Sequence, residues 1–312
     1  MWLLFASLTA LFEACKDATG KQSLKTLDEY SVLFSFMAVG VGLLWPVLMI
    51  SGGVPPIQPG FWWAIFIGGG LNILAFILYV KALKMADMSL TVPLVTLTPL
   101  FLLVTSPLIV QEWPTSADAA GVVLLIIGSY VLNLKAATDL VDLASGTAHL
   151  SQSSLQPSRI QRLCGPLLAM ARNPGSRMML CVAFIWSITS NFDKIGVNNS
   201  SPLFWAIALF TVIAGGMVPF VFLRGEGRSK GFGPLLAQWQ LLGITGGFNA
   251  IAVALQMLAL TMAPVAQVIA VKRMSALISV LFGHFFFGEK GLKERLLGAV
   301  IMVSGVVIMA LH

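Results

Sequence analysis

The stretch GGLNILAFILYV, residues 69–80, has a counterpart 177 residues later in GGFNAIAVALQM, residues 246–257. The two share the tetrapeptide GGxN at their start. The same offset aligns one glutamate and two glycines with like residues: Glu112 with Glu289, Gly121 with Gly298, and Gly128 with Gly305. Lys16 and Lys194 match one residue off this register. So many identities at a single offset indicate an internal duplication of the whole chain.

Composition indicates that this duplicated chain lies in a lipid bilayer. Of its 312 residues, 57% are hydrophobic and 10% are charged, whereas soluble domains have about 25% charged residues. A helix crosses the hydrocarbon core with roughly 20 mostly apolar residues, and no stretch alternates as a membrane β-strand does. The sequence predicts ten such spans, at residues 2–20, 29–50, 61–84, 88–110, 117–135, 178–197, 202–223, 235–260, 264–287 and 294–311.

The duplication divides these spans into two units of five, residues 1–135 and 178–312. Because five is odd, the second unit enters the membrane from the opposite side. The predicted fold is therefore all-α and integral to the membrane, with ten transmembrane helices in two inverted five-helix repeats. Such repeats are frequent in secondary transporters, whose sites lie near the bilayer midplane; the alternative is that the duplication only builds a stable bundle.

A polar and basic linker, residues 136–177, joins the two units. Its residues 159–172 combine basic and apolar positions, which fits either a helix lying on the inner leaflet or part of a plain tether.

The basic residues are sorted between the two faces of this predicted bundle. If ten helices alternate, sixteen of the nineteen Lys and Arg fall on one face, Lys194 alone falls on the other, and two lie within the ninth span. Cytoplasmic loops collect Lys and Arg. The sequence thus predicts a multi-pass protein of the cell (inner) membrane with basic loops in the cytoplasm and both termini outside.

Each half ends in the same way, with an apolar helix, an acidic corner and a glycine-spaced final helix. These stretches read LIVQEWPTSADAAGVVLLIIGSYVL at residues 108–132 and FFFGEKGLKERLLGAVIMVSGVVI at residues 285–308. In this arrangement the chain resembles the drug/metabolite transporter superfamily, and its EamA-like branch in particular. The resemblance implies a transporter in which spans one to four and six to nine surround a central cavity. It leaves the substrate open among amino acids, sugars, nucleotide sugars, phosphorylated sugars and drugs.

Two adjacent cations, Lys272 and Arg273, lie near the middle of the ninth span. At 1.5 Å per residue, Lys272 lies about 12 Å into a hydrocarbon core of about 30 Å. Each central cation costs about 2.5–3.5 kcal/mol to insert, so the pair needs a cavity or a partner. The leading interpretation is an anion-binding site, and the pair is similar to the adjacent Lys-Arg of plastid triose-phosphate translocators. The alternatives are an ion pair with an internal carboxylate such as Glu13, and side chains that extend to the interface.

Other polar residues within spans are candidates for the same cavity. Amides and hydroxyls at these depths either bind a polar solute or join helices to one another. The substrate-binding candidates beside the two cations are Asn72, Tyr79, Thr96, Asn249, Gln256 and Gln267, and Trp186 and Phe192 are candidates for its lining. Glu13 is a candidate for proton coupling, or else it forms a local pair with Lys16.

Glu112 and Glu289 precede the last span of each half, where a carboxylate can cap a helix N-terminus. The two glycine pairs repeat at seven residues, hence on one helix face. We expect them to pack helices within the protein. A homodimer is compatible with the sequence but is not required.

Several classes of function lack support in the sequence. The three histidines are scattered, no Ser–His or paired-acid spacing occurs, and no GxxxxGK[ST] stretch is present. An enzyme and an ATP-driven pump are therefore disfavoured, and we expect no cofactor and no nucleic-acid partner. The expected partners are a small-molecule solute, moved by alternating access, and the lipid bilayer. A proton-coupled exporter of amino acids or amphipathic drugs is the alternative.

Overall fold

The computed structural model describes residues 1–85, 94–144, 174–223, 233–287 and 292–311. Every regular element in these ranges is a helix, so the all-α prediction is confirmed for this part of the chain. Apart from one helical turn at Gly233–Ala237, the helices are α1 Trp2–Ser23, α2 Glu29–Ile50, α3 Pro59–Met85, α4 Thr98–Ile109, α5 Ser116–Ala144, α6 Pro174–Asn198, α7 Pro202–Leu223, α8 Trp239–Leu260, α9a Val265–Lys272, α9b Ser275–Phe287 and α10 Leu292–Ala310.

Four helices are long and apolar enough to cross a membrane by themselves: α2, the Pro59–Ala82 part of α3, α7 and α8. The shorter apolar helices are Thr98–Ile109, Ser116–Val131 and Leu297–Ala310. Helices also extend into both ends of the predicted linker, because α5 continues to Ala144 and α6 begins at Pro174. The candidate surface helix at 159–172 and Glu289 lie outside the described residues.

Polar residues at helix starts explain some of these boundaries. The Asp28 carboxylate accepts hydrogen bonds from the Tyr30 and Ser31 amides and so caps α2. At α5, the Thr115 hydroxyl accepts from the Asp118 amide, while the Asp118 carboxylate accepts from the Thr115 amide at 2.8 Å. This reciprocal pair satisfies amides that have no partner within the helix.

The helices pack in pairs that recur between the two halves. Helix α1 packs along α8 as α3 packs along α6; α4 contacts α6 as α9a and α9b contact α1. The pairs α2 with α7 and α5 with α10 complete the pattern. Exchanging each helix for the one five places along reproduces all of these contacts. A duplicated five-helix unit predicts such a pattern, and the inverted arrangement of ten spans stays a prediction.

The predicted glycine positions lie where α5 meets α10. A Cβ at Gly128 would lie 2.6 Å from the Gly298 carbonyl oxygen, and one at Gly305 would lie 2.6 Å from the Gly121 carbonyl oxygen. Only glycine allows two backbones to approach this closely. The four glycines therefore pack two helices of the same chain, as expected from their spacing.

The predicted ninth span is not one continuous helix. It is interrupted at Arg273 and Met274, where the Met274 amide donates to the Val271 carbonyl at 2.9 Å, a tighter i to i+3 bond. In the first half, the matching residues Thr96 and Leu97 form a turn immediately before α4. The Leu97 amide donates to the Leu94 carbonyl at 3.1 Å. Both halves thus carry a helix break at the same register, next to the candidate site.

Candidate functional site

Lys272 lies in a group of polar side chains drawn from α1, α8 and α9a. Its Nζ donates to Gln256 Oε1 at 2.8 Å and lies 3.7 Å from Glu13 Oε2. The structure therefore pairs this cation with an internal carboxylate, which was one of the alternatives left open by the sequence. Gln256, a predicted site residue, is buried and orients the ammonium group.

Glu13 lies between two ammonium groups. Its Oε1 accepts from Lys16 Nζ at 2.5 Å, and Lys16 also lies 3.3 Å from Asp17 Oδ1. Lys16, one of the sixteen Lys and Arg that the sequence assigned to a single face, lies within α1 and belongs to this cluster. The Glu13 side chain is 15% exposed and that of Asp17 is 52% exposed. Glu13 thus holds the cations of α1 and α9a together, as an ion-pairing residue does.

Arg273 differs from its neighbour because it forms no ion pair with any described acid. Its Nη2 donates to Thr98 Oγ1 at 3.0 Å, which connects the two helix breaks. Its Nε is buried and has no hydrogen-bond partner. A buried guanidinium nitrogen without an acceptor is costly, and Arg273 is therefore the cation of this cluster that has an unsatisfied donor.

An aromatic ring, Trp186, lies beside Arg273 and contacts two further rings. The Arg273 Cζ is 6.0 Å from the centroid of the Trp186 ring, close enough for a cation–π contact. Trp186 in turn contacts Phe76 at 5.8 Å and Tyr79 at 5.6 Å between ring centroids. Tyr79 was predicted from the sequence, and the three rings form a partly buried aromatic group built by α3 and α6, with Trp186 next to the Arg273 guanidinium.

The other predicted site residues have different surroundings. Asn72 is buried and donates to the Gly68 carbonyl of its own helix, whereas the buried Asn249 Nδ2 has no partner. Thr96 lies in the helix break that matches Arg273. Gln267 donates to Asp118 Oδ1 at 2.7 Å, at the start of α5. Of these residues, Gln267 lies at the end of the bundle where α5 begins, and it does not hydrogen-bond to the described group around Lys272.

That end of the bundle contains a second charged group, which we name the Glu112 corner and define as Glu112, Lys194 and the α8–α9a turn. Lys194 Nζ lies 3.0 Å from Glu112 Oε1 and donates to the Ala263 carbonyl at 2.9 Å. Glu112 Oε2 accepts from the Val265 amide at 2.8 Å. Glu112 therefore caps α9a, and the prediction that it caps the following helix was wrong because Thr115 and Asp118 occupy that place.

A small pocket lies at this corner. It is lined by Leu102, Ser106, Glu112, Trp113, Pro114, Asp118, Pro264 and Ala266. Through Glu112 and Lys194, the corner joins the segment after α4 to α6 and to the start of α9a beside this pocket.

We expect Lys194→Gln to make the pocket at the Glu112 corner more accessible to a reagent in solution. Removing one member of a mostly buried pair (14% and 22% exposed) leaves the Glu112 carboxylate without its counterion, at a cost of about 1–3 kcal/mol. The measurement is labelling of a Ser106→Cys probe by a maleimide, with the three native cysteines changed to serine. Lys194→Gln should speed labelling and lower the melting temperature, while Lys194→Arg should do neither. Equal labelling rates in all three backgrounds would show that the ion pair does not close this end.

Sequence reasoning missed one buried carboxylate, Asp193 of α6. It is 6% exposed and its Oδ1 accepts from Trp205 Nε1 at 3.0 Å. Trp205 is fully buried, and a Cβ at Gly196 would collide with its ring. The signal was the Asp193–Lys194 pair near the end of an apolar span. Because a buried tryptophan N–H needs an acceptor, this bond fixes α6 to α7.

Comparison with known proteins gives one family and a common fold. The model of the EamA-like transporter family matches residues 1–134 and 173–311. No curated protein matches the sequence. Solved structures do match, 28 chains in all; one crystal structure has a TM-score of 0.72, covers 99% of this chain and 96% of its own, and is 15% identical. At that identity the likeness shows the fold alone.

Proposed function

The chain belongs to the EamA-like transporter family, and on that premise we propose that it is a secondary transporter of a small, polar, anionic solute. The observation that carries the anionic part is Arg273. It is a guanidinium among transmembrane helices with a buried, unpartnered Nε and no described carboxylate within ion-pair distance. A solute anion would supply the acceptor that the described residues do not.

The same residues also support alternating access. The two helix breaks meet through the Arg273–Thr98 hydrogen bond, and breaks of this kind are places where a helix can bend. An anion at Arg273 would compete with Thr98 for the guanidinium and so change how α4 and α9a are held together. The Glu112 corner would then open as the other end closes, with one half moving against the other.

Several finer points belong to this proposal. The recurrent helix pairs support ten spans in two inverted units, and the Lys and Arg distribution supports basic loops in the cytoplasm of a cell (inner) membrane protein with both termini outside. With that orientation the Glu112 corner is the outer end. Gln256, Tyr79, Asn72, Asn249 and Thr96 would line or shape the solute pathway. An enzymatic role has no supporting group among the described residues.

The alternative of proton-coupled export rests on Glu13. Its carboxylate is engaged by Lys16 and Lys272, which favours a pairing role over proton carriage. Uptake that is indifferent to both Glu13→Gln and the pH gradient would exclude this alternative.

The test is a ligand screen on the purified full chain followed by transport in proteoliposomes. Ligand binding to the native state stabilises it by about 2.7 kcal/mol at a hundredfold excess over Kd. We expect at least one class among organic acids, amino acids and phosphorylated sugars to raise the melting temperature and to be exchanged across the liposome membrane. If neutral sugars or cations are carried while every anion is inert, the anionic solute is wrong.

A further inference from the structure

We propose that the solute carries a single carboxylate, which binds to Arg273, and a flat apolar body, which lies against Trp186. The inference rests on the proposed transport function and narrows its substrate class. It excludes phosphate esters and dicarboxylates, which the sequence left open.

The charge balance of the cluster carries the first step. The described cations of the cluster are Lys16, Lys272 and Arg273, and its carboxylates are Glu13 and Asp17. The four residues other than Arg273 pair among themselves, which leaves one positive charge. A single carboxylate neutralises it. A second negative charge would remain uncompensated in a low-dielectric region, where an unpaired charge is expensive.

Asp193 does not reverse this preference for the lower charge. Its carboxylate accepts from Trp205 Nε1 at 3.0 Å and forms no ion pair with a described cation of the cluster. If its charge is counted, the cluster is neutral before the solute binds, and a dianion then brings two uncompensated negative charges where a monocarboxylate brings one. The monocarboxylate is therefore favoured over the dianion whether or not Asp193 is counted.

The second step rests on the hydrogen-bond donors of the Arg273 guanidinium. Guanidinium groups bind carboxylates through two parallel N–H donors, and here Nε has no partner while Nη2 has only the neutral Thr98 hydroxyl. A carboxylate can satisfy Nε with one oxygen and replace Thr98 with the other. Lysine has no such planar pair of donors, so Arg273→Lys should bind the same acid more weakly.

The aromatic surface carries the third step. A carboxylate on Arg273 places the rest of the solute beside Trp186, which lies 6.0 Å from the guanidinium carbon and contacts Phe76 and Tyr79. Flat apolar groups stack on such rings and lose little conformational freedom. An acid without an apolar body would leave this surface unused.

The experiment measures binding of four matched probes to the full-length protein in lipid nanodiscs. The probes are 3-phenylpropanoate, phenylsuccinate, phenethyl phosphate and propanoate. We expect 3-phenylpropanoate to bind at least about tenfold more tightly than each of the other three. In Arg273→Gln this preference should disappear, and in Arg273→Lys it should shrink. Arg177→Gln, which removes an exposed arginine at the start of α6, should leave all four affinities unchanged.

The outcomes separate the inference from the proposed function. Binding of phenylsuccinate or phenethyl phosphate as tightly as the monocarboxylate overturns the single charge, and equal binding of propanoate overturns the apolar body; both leave an anion transporter in place. Tight monocarboxylate binding that persists in Arg273→Gln overturns the assignment to Arg273. No binding of any probe overturns the inference, and the broader screen in proteoliposomes then decides the transport function separately.

Discussion

Arg273→Gln is expected to reduce solute uptake into proteoliposomes by about two orders of magnitude while the protein still folds and inserts. Truncating one partner of a buried, hydrogen-bonded charge pair costs about 2–5 kcal/mol, and here the lost partner is the solute's own counterion. The variant also removes a partly buried cation whose buried Nε lacks an acceptor. The empty protein should therefore be as stable as wild type or more so. Lower transport together with equal or higher melting temperature is the signature of a binding role.

Two variants control this experiment. Arg177→Gln makes the same chemical change at an exposed position of α6 and should transport normally. Lys272→Gln removes a cation that already has Glu13 and Gln256 as partners. We expect it to lower the melting temperature as well as uptake, because Glu13 then loses one of its two counterions. Wild-type uptake by Arg273→Gln would eliminate the anion site.

Gly128→Leu is expected to have the largest effect on stability. The new Cβ would lie 2.6 Å from the Gly298 carbonyl oxygen and 2.7 Å from the Met302 amide nitrogen, so backbone atoms of α10 would have to move. Overpacking of this kind costs about 1–3 kcal/mol or more, and the rest of the leucine side chain adds to it. We expect a melting temperature lower by about 5 °C or more and a smaller monodisperse fraction in detergent.

Gly215→Leu is the matched control because no atom lies within 4 Å of a Cβ built there. It makes the same substitution inside α7 on an exposed face. Its melting temperature should stay close to wild type. If the two variants melt at the same temperature, the contact between α5 and α10 is not as close as the structure has it.

The sequence predicted the site unevenly. It identified both cations, Glu13 and Gln256 as candidates, because polar residues in apolar spans are conspicuous. It treated Lys272 and Arg273 as a pair, whereas Lys272 is engaged by Glu13 and Arg273 is not. Adjacent residues on a helix point about 100° apart, and which direction meets a carboxylate depends on where α1 lies. It also grouped Gln267 with them, although the start of α5 brings Asp118 to its amide.

By itself the sequence determined that the chain is helical, that it belongs in a membrane, and that its two halves share one register. Those properties follow from composition, span length and local spacing, which the bilayer and the helix geometry translate directly into structure. The tertiary structure alone decided which charges neutralise one another and that Glu112 binds Lys194 and the start of α9a. These depend on the rotation of each helix about its axis, and that rotation is fixed by packing contacts between residues far apart in the chain.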